Sequence, residues 1–349
     1  MSPSKRPVVV VDAMGGDDAP EAVVRGAADA TRNTGADIVL VGDLSEIQRV
    51  LDRTEHDAAR VRLVSAPTVI PMDASPKEAL RTYRDASLPV AARLVAAGEG
   101  DALVSAGNSG AIVMSCASAF RLLPSIKRAA LAAVIPTEMS HGRKDDPFSL
   151  LLDAGATLRV KPRDLVNFAT MGAAYARVVS DNPRPRVGLI SNGSEPNKGP
   201  PEVVEAHALL RSAVDFDFIG NVEGVDIPRG TADVIVCDGF TGNVTLKMLE
   251  GVAETIMNVA RHAYRSRLQW RLALWLLSGG IRRLKEVTDW QQYGGAPILG
   301  FDSLCLKAHG RSGPRAIRNA IRVAERCVSR DLIGRITEEV ARVAPTGSD

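Results

Sequence analysis

Four short polar segments follow apolar runs in the sequence, and each combines glycines with asparagine, lysine or histidine. They are SAGNSG at 105–110, SNGSEPNKGPP at 191–201, DGFTGNVTLK at 238–247 and LKAHGRSGPRAI at 306–317. Glycines allow a sharp turn and a close approach of a ligand to the main chain, while the amino end of a helix favours negative charge. The four segments therefore predict a pocket for phosphate or a similar anion.

Several side chains in these segments suit charge stabilisation. Lys247 lies one helical turn after Asn243, so its ammonium group can point back over the turn. Lys198 lies in a loop framed by glycine and proline, while Lys307 and His309 share a face at a strand end. The alternative is that the helix lysine is solvated and the histidine only structural.

Two of the segments are alike. GDALVSAGNSGAIV at 100–113 and ADVIVCDGFTGNVTL at 232–246 each contain an apolar run, a glycine turn with a Gly-Asn pair and a helical stretch. Asn108 and Asn243 either cap their helices or turn their amides toward a ligand. Both stretches are thus expected to place a glycine turn between the end of a strand and the beginning of a helix.

The elements that must position these segments are strands and helices in alternation. Short Val/Ile/Leu-rich runs alternate with Ala-rich helical stretches, as in a parallel sheet with crossover helices. The expected strands are 7–12, 37–41, 61–65, 101–105, 129–135, 148–153, 186–190, 216–219, 233–237 and 303–307. In such an α/β fold, ligands bind where strands end and helices begin.

Composition excludes several other classes of protein. The 349 residues carry 43 basic and 41 acidic side chains, so no overall field attracts nucleic acid. The four cysteines are far apart and form no CxxC pair, so we expect no metal site, no disulfide framework and a reducing cytoplasm. No GxGxxG follows a predicted strand and no GxxxxGK[ST] occurs, which argues against NAD and P-loop sites. Cys237 is either a nucleophile or, as is commoner, a small buried apolar residue.

Residues 261–290 differ from the rest of the chain. They contain all three tryptophans, and residues 261–285 carry seven basic side chains and no acidic one. Apolar residues at helical spacing on both sides of Gly279 and Gly280 predict an amphipathic hairpin, which suits an anionic membrane surface. The alternative is a dimer interface or a core helix. The expected membrane contacts are Trp270, Leu272, Trp275, Leu276, Arg282 and Arg283.

Motifs along nearly the whole chain resemble the bacterial phosphate acyltransferases of phospholipid synthesis, which move a fatty acyl group from acyl carrier protein to inorganic phosphate. The motifs are VVVDAMGGDDAP, DALVSAGNSGA, FIGNVEGVDI, ADVIVCDGFTGNVTLKMLEG, YGGAPILGF and KAHG. The resemblance implies a Rossmann-like α/β/α sandwich of the isocitrate/isopropylmalate dehydrogenase-like type. It implies one domain over residues 1–349, with the hairpin at 261–290 protruding from it.

The resemblance also implies partners and a location. They are inorganic phosphate, an acyl carrier protein thioester, a second copy of the chain in a homodimer and a membrane glycerol-3-phosphate acyltransferase, with no cofactor and no nucleic acid. The protein would be cytoplasmic and attached peripherally to the inner face of the cell membrane.

For this reaction the expected catalytic residues are Lys198, Asn243 and His309. We expect Lys198 and the backbone of residues 107–110 to hold phosphate, and Asn243 to lie near the thioester carbonyl. The other expected phosphate or substrate contacts are Ser105, Gly107, Asn108, Ser109, Gly110, Glu195, Asp238, Gly239, Gly242, Lys247 and Lys307. Three other activities stay open: a short-chain coenzyme A-dependent phosphotransacylase, an NAD- and metal-dependent decarboxylating dehydrogenase, and a non-enzymatic membrane-surface scaffold.

Overall fold

The computed structural model describes residues 6–141, 146–212, 215–266, 269, 279 and 294–343. The strands are β1 Val8–Asp12, β2 Asp37–Gly42, β3 Val61–Ser65, β4 Ala102–Ser105, β5 Ala130–His141, β6 Asp146–Leu152, β7 Arg186–Ile190, β8 Asp217–Val222, β9 Val234–Val236, β10 Ala296–Leu299 and β11 Leu304–Lys307. The α-helices are α1 Glu21–Asn33, α2 Leu44–Leu51, α3 Pro76–Thr82, α4 Ser87–Ala96, α5 Ser109–Ala119, α6 Pro162–Val179, α7 Pro201–Leu210, α8 Asp226–Arg229, α9 Gly239–Ser266, α10 Pro314–Ser329 and α11 Leu332–Val343.

The strands form one sheet in the order β3-β2-β1-β4-β11-β10-β5-β6-β9-β7-β8. The first five strands are parallel to one another, and so are the last four. Between these groups, β10 is antiparallel to β11 and β5, and β5 is antiparallel to β6. The two parallel groups therefore run in opposite directions.

The register along β5 brings the carboxyl ends of the two groups together. Ile298 of β10 pairs with Cys305 in the first group and with Leu131 of β5. Leu152, the last residue of β6, pairs with the next residue of β5 and with the end of β9. Because the groups are staggered in this way, their opposite directions still leave both sets of carboxyl ends at one level, near Ala132.

Helices cover both faces of this sheet because strand side chains alternate between the faces. Val9 and Val11 of β1 join a buried apolar cluster with residues of α1, α6, α10 and α11. Val10 joins the cluster on the other face, with residues of α4 and α5. The continuous apolar runs of the sequence are thus strands buried on both sides.

The structure confirms the α/β class and all ten expected strands, with boundary shifts of up to six residues, the largest at the end of β5. Two expectations were wrong. The sheet is mixed rather than parallel, and the strand Ala296–Leu299 was missed because a short run that contains a proline after two glycines resembles a loop. Both errors have one source, since β10 lies where the sheet reverses direction.

The expected membrane contacts Trp270, Leu272, Trp275, Leu276, Arg282 and Arg283 lie outside the described residues. Residues 261–266, the beginning of the expected hairpin, continue α9. Within the described part of the chain, no helix is long and apolar enough to cross a membrane.

Candidate active site

A cavity of about 460 Å³ opens where the two sets of strand ends meet. Residues 131–134 of β5 form an apolar part of its wall, and Leu246 of α9 adds to it. Six of the residues that the sequence singled out also line the cavity: Gly107, Ser109, Asn243, Lys247, Lys307 and His309. The cavity thus combines an apolar surface with groups able to bind an anion.

The first turn, after β4, rests on the buried carboxylate of Asp12. This carboxylate accepts hydrogen bonds from Ser105 Oγ at 2.7 Å and Ser87 Oγ at 2.6 Å, and Ser105 Oγ accepts the Gly107 N–H at 3.1 Å. A Cβ atom on Gly15 would lie 2.8 Å from the Gly107 nitrogen, so only glycine allows the two loops to touch. Burial raises the pKa of Asp12, and its hydrogen bonds oppose that rise. Ser105 therefore positions the turn from beneath.

The side chain of Asn108 caps helix α5. Its Oδ1 accepts the Ala111 N–H at 3.0 Å, which caps α5, and its Nδ2 donates to the carbonyls of Met72 and Ala74. Its side-chain amide is thus used within the protein. Ser109, the first residue of α5, lies at the cavity and exposes the amino end of the helix there.

The second turn, at the ends of β6 and β9, rests on the buried carboxylate of Asp153. This carboxylate accepts four backbone N–H groups, from Leu131, Gly155, Ala156 and Thr157. Burial raises the pKa of Asp153, and these bonds oppose the rise. A Cβ atom on Gly242 would overlap the Asp153 carbonyl oxygen, so this glycine lets α9 pack directly on the turn.

The cap of α9 is Asp238 and not Asn243. The Asp238 carboxylate accepts the N–H groups of Phe240 at 2.9 Å and Thr241 at 3.0 Å, and also the Thr241 hydroxyl. Helix α9 begins at Gly239, so Asn243 lies in its second turn, beside Gly155 and exposed at the cavity. In the repeated pattern, the structural counterpart of Asn108 is Asp238, and Asn243 presents its amide to the cavity.

Lys247, Lys307 and His309 add cationic and imidazole groups to the lining of the cavity. Burial, and then the neighbouring charge of Lys247, lowers the pKa of Lys307. Burial, and then the charge of Lys307, lowers the pKa of His309. The Nδ1 atom of His309 accepts the Arg311 N–H at 3.3 Å, so the neutral ring carries its proton on Nε2. Lys247 Nζ is 2.8 Å from Glu250 Oε2, which offsets its charge.

Eight of the expected site residues do not line this cavity: Ser105, Asn108, Gly110, Glu195, Lys198, Asp238, Gly239 and Gly242. Lys198 lies in the exposed turn after β7, where its side chain covers Gly193. Strand β7 is three strand spacings from β5, or about 14 Å. Lys198 thus shares the edge of the sheet but not the cavity.

Cys237 is a buried residue at the end of β9. Burial, followed by the charges of Asp238 and Asp153, raises the pKa of its thiol well above the ordinary value. Its Sγ atom lies 3.6 Å from the Asp153 carbonyl oxygen. These surroundings favour the neutral thiol, which is a poor nucleophile. Within the described residues, no group of histidine, cysteine and acidic side chains is arranged to hold a metal ion.

Comparisons with known proteins agree over nearly the whole chain. A family model described as "Fatty acid synthesis protein" matches residues 8–335. A phosphate acyltransferase from Syntrophotalea carbinolica is 41% identical over 346 residues, which cover 99% of this chain and 97% of the relative. A phosphate acyltransferase from Nitratidesulfovibrio vulgaris is 39% identical over 333 residues, covering 95% and 94%. The chain belongs to the phosphate acyltransferase family.

Among solved structures, a phosphotransacetylase from Streptococcus pyogenes superposes on this member of the phosphate acyltransferase family with a TM-score of 0.60. The match covers 94% of this chain and 95% of that chain at 15% identity. At this identity the likeness shows a shared fold.

Sequence reasoning missed the two residues beneath the turns of this phosphate acyltransferase family member. Asp12 and Asp153 are both buried, and each ends or follows an apolar strand in the patterns VVVDAMGG and LLDAGAT. An aspartate directly after a buried strand and before small residues is the signal that could have revealed them.

Proposed function

We propose that this protein transfers an acyl group from a thioester to inorganic phosphate. A phosphate oxygen attacks the thioester carbon, a C–O bond forms, the C–S bond breaks, and the thiolate leaves and takes up a proton. Membership in the phosphate acyltransferase family over nearly the whole chain supports this reaction, and the cavity that joins an apolar wall to anion-binding groups carries the proposal.

The acceptor phosphate lies between the amino end of α5 and the side chain of Lys307. The backbone N–H of Ser109 and the Lys307 ammonium offer charge-assisted hydrogen bonds to its oxygens. His309 offers a further donor from Nε2, because its Nδ1 atom accepts the Arg311 N–H. Lys247 contributes less, since Glu250 shares its charge.

The thioester carbonyl lies near Asn243, whose side-chain amide faces the cavity. A single donor to the developing oxyanion is typically worth about 10²- to 10³-fold in kcat. The acyl chain follows the apolar wall formed by residues 131–134 and Leu246. Phosphate is partly dianionic near neutral pH and a thiol of pKa about 8.5 leaves readily, so the reaction requires little proton transfer by the protein.

Acyl carrier protein is the proposed donor, with a long fatty acyl chain and an acyl phosphate for phospholipid synthesis as the product. We extend the same proposal to the fold subtype, a Rossmann-like sandwich of the isocitrate/isopropylmalate dehydrogenase-like type formed as one domain. Lys198, Glu195 and the other expected contacts outside the cavity stay predictions. Replacement of Lys198 by alanine tests that prediction through the rate of acyl phosphate formation.

The proposal includes a homodimer, a cytoplasmic location and peripheral attachment to the membrane. Large apolar residues are exposed along α9, among them Phe240, Met248 and Ile256, each more than 60% exposed. A row of this kind supports an additional contact with protein or lipid. Replacement of Trp275 and Leu276 by glutamate is expected to release the protein from anionic vesicles and to leave the soluble reaction intact. Unchanged vesicle binding would favour contact with protein.

The deciding experiment supplies purified protein with palmitoyl carrier protein and labelled phosphate and measures labelled acyl phosphate. Label transfer that depends on the protein supports the proposal. Parallel reactions with short- and long-chain coenzyme A thioesters separate a short-chain phosphotransacylase from the proposed activity. Absence of acyl phosphate with every donor would refute acyl transfer to phosphate.

A further inference from the structure

A second hollow, of about 440 Å³, lies between α4 and α5 and shares no lining residue with the cavity. Its lining residues are Arg84, Pro89, Arg93, Ser115, Ser118 and Ala119. Guanidinium and hydroxyl groups are the side chains that best match the oxygens of a phosphoryl group. The composition of this hollow therefore suits an anion.

Ser115 gives the hollow a buried hydroxyl group. The residue is 2% exposed, and its Oγ has no hydrogen-bond partner among the described residues. A buried hydroxyl without a partner is destabilising. The buried Ser105 on the neighbouring strand, by contrast, donates to Asp12. A ligand oxygen in the hollow would supply the acceptor that Ser115 lacks.

Contacts within the protein orient Arg93, and both arginines keep N–H donors that a ligand could use. Arg93 Nη1 donates to the Arg84 carbonyl at 2.8 Å, and its Nη2 lies 3.6 Å from Asp85, a residue whose side chain is 94% exposed. A guanidinium has five N–H donors, so these contacts orient Arg93 without exhausting it. Arg84 forms no ion pair within the part of the chain that the structure describes.

Two elements connect this hollow to the cavity. Ser109 at the start of α5 lines the cavity, and Ser115 follows six residues later, about 9 Å along the helix axis. The segment from Met72, at the cavity, to Arg84, at the hollow, runs alongside through α3, which packs on α5. The two sites are thus close neighbours on one face.

We infer that the hollow between α4 and α5 binds the phosphodiester of the donor's prosthetic arm, a pantetheine chain that ends in the acyl thioester. This inference rests on the proposed function, in which a carrier protein delivers the acyl group. An extended pantetheine chain exceeds the span from Ser115 to Ser109, so the thioester reaches the cavity while the phosphodiester stays between Arg84 and Arg93. The site would also recognise the arm rather than the acyl chain.

The test compares two donors that carry the same acyl thioester, acyl-4′-phosphopantetheine and acyl-pantetheine, which lacks the phosphate. The wild type is expected to prefer the phosphorylated donor in kcat/KM by tenfold or more. The double variant Arg84→Gln/Arg93→Gln should lose that preference while its rate with acyl-pantetheine stays within about twofold. Ser115→Ala should reduce the preference by less, since it removes one neutral donor.

Arg62→Gln is the matched control, because Arg62 is 50% exposed and Arg93 is 53% exposed but Arg62 lies on β3, at the edge of the sheet. It should keep the preference. Equal use of both donors by the wild type would overturn the inference. So would a tenfold rise in the KM for inorganic phosphate in the double variant, which would make the hollow the acceptor site. Loss of binding to anionic vesicles with an unchanged preference would instead assign the hollow to lipid headgroups.

Calorimetry separates a failure of this inference from a failure of the proposed function. If no donor gives acyl phosphate, the proposed function is wrong, and the binding of free 4′-phosphopantetheine and pantetheine still decides the role of the hollow. Tighter binding of the phosphorylated compound, lost in the double variant, supports the site. Equal binding of the two compounds, or none, overturns it.

Discussion

The two glycine turns at the cavity look alike in sequence and differ in what holds them. The carboxylate of Asp12 beneath the first turn accepts two side-chain hydroxyls, those of Ser87 and Ser105, and at a longer 3.3 Å the backbone N–H of Met14. The carboxylate of Asp153 beneath the second turn accepts four backbone N–H groups. A serine hydroxyl can rotate toward another acceptor, whereas the main chain fixes the direction of a backbone N–H. The second turn therefore depends more strictly on its carboxylate than the first.

The largest expected effect is on stability. Asp153→Ala leaves four backbone N–H groups near the protein interior without their acceptor, and should lower the free energy of unfolding by at least about 3 kcal/mol. Asp12→Ala frees two hydroxyls that can reorient and the N–H of one long backbone hydrogen bond, and should cost about 1–3 kcal/mol. Urea denaturation of both variants measures the difference. Equal losses would show that the kind of donor does not matter.

Conservative variants sharpen the same test. Asp153→Asn keeps one acceptor oxygen but places an amide N–H against a backbone N–H, so it should remain clearly destabilising. Asp12→Asn should cost less, because a serine hydroxyl can accept as well as donate. The opposite order would contradict the hydrogen bonds described here.

The next largest expected effect distinguishes Asn243 from Asn108. Asn243→Ala should lower kcat for acyl phosphate formation at least tenfold and leave stability nearly unchanged, because its amide faces the cavity. Asn108→Ala should lower the free energy of unfolding by about 1 kcal/mol, as expected of a lost helix cap. Asn258→Ala, an exposed position on the same helix as Asn243, is the matched control for kcat. A similar loss of kcat at Asn258 would remove the specific role of Asn243.

The two lysines of the cavity, Lys307 and Lys247, should differ in their effect on phosphate binding. Lys307→Met should raise the KM for phosphate about tenfold, because a charge-assisted hydrogen bond is worth about 1.5–3 kcal/mol. Lys247→Met should change it less than threefold, since Lys247 is exposed and paired with Glu250. Initial rates at varied phosphate concentration distinguish these outcomes. A larger effect at Lys247 would move the acceptor to the α9 side of the cavity.

The smallest expected effect concerns His309. Burial and the charge of Lys307 lower its pKa, so the imidazole should titrate below its ordinary value of 6.5. Lys307→Met removes the second of these causes, and the midpoint should rise toward 6.5 without reaching it. Because the unfolded state takes up this proton at higher pH than the folded state, His309 makes stability fall as pH drops through 6.5. NMR titration, assigned with His309→Gln, measures the midpoint.

Much of the fold could be predicted from the sequence because buried strands appear as continuous apolar runs. The edge that carries the site could be predicted as well, since glycine-rich turns follow those runs. The reversal of direction at β10 could not, because strand order depends on pairing between distant segments. The helix cap at Asp238 was missed because the Gly-Asn pair at 242–243 imitates a cap that Asn108 provides in the other turn. Lys198 has suitable chemistry, yet three strand spacings separate its loop from β5, which sequence does not reveal.

Because the two strand groups are staggered along β5, this strand sets the distance between their turns across the cavity. One residue inserted into β5 would displace the turns of one group by about 3.3 Å relative to the other. An insertion in the outer strand β3 would leave the gap as it is. Insertions are therefore expected to preserve activity in the outer strands of the sheet and to abolish it in β5.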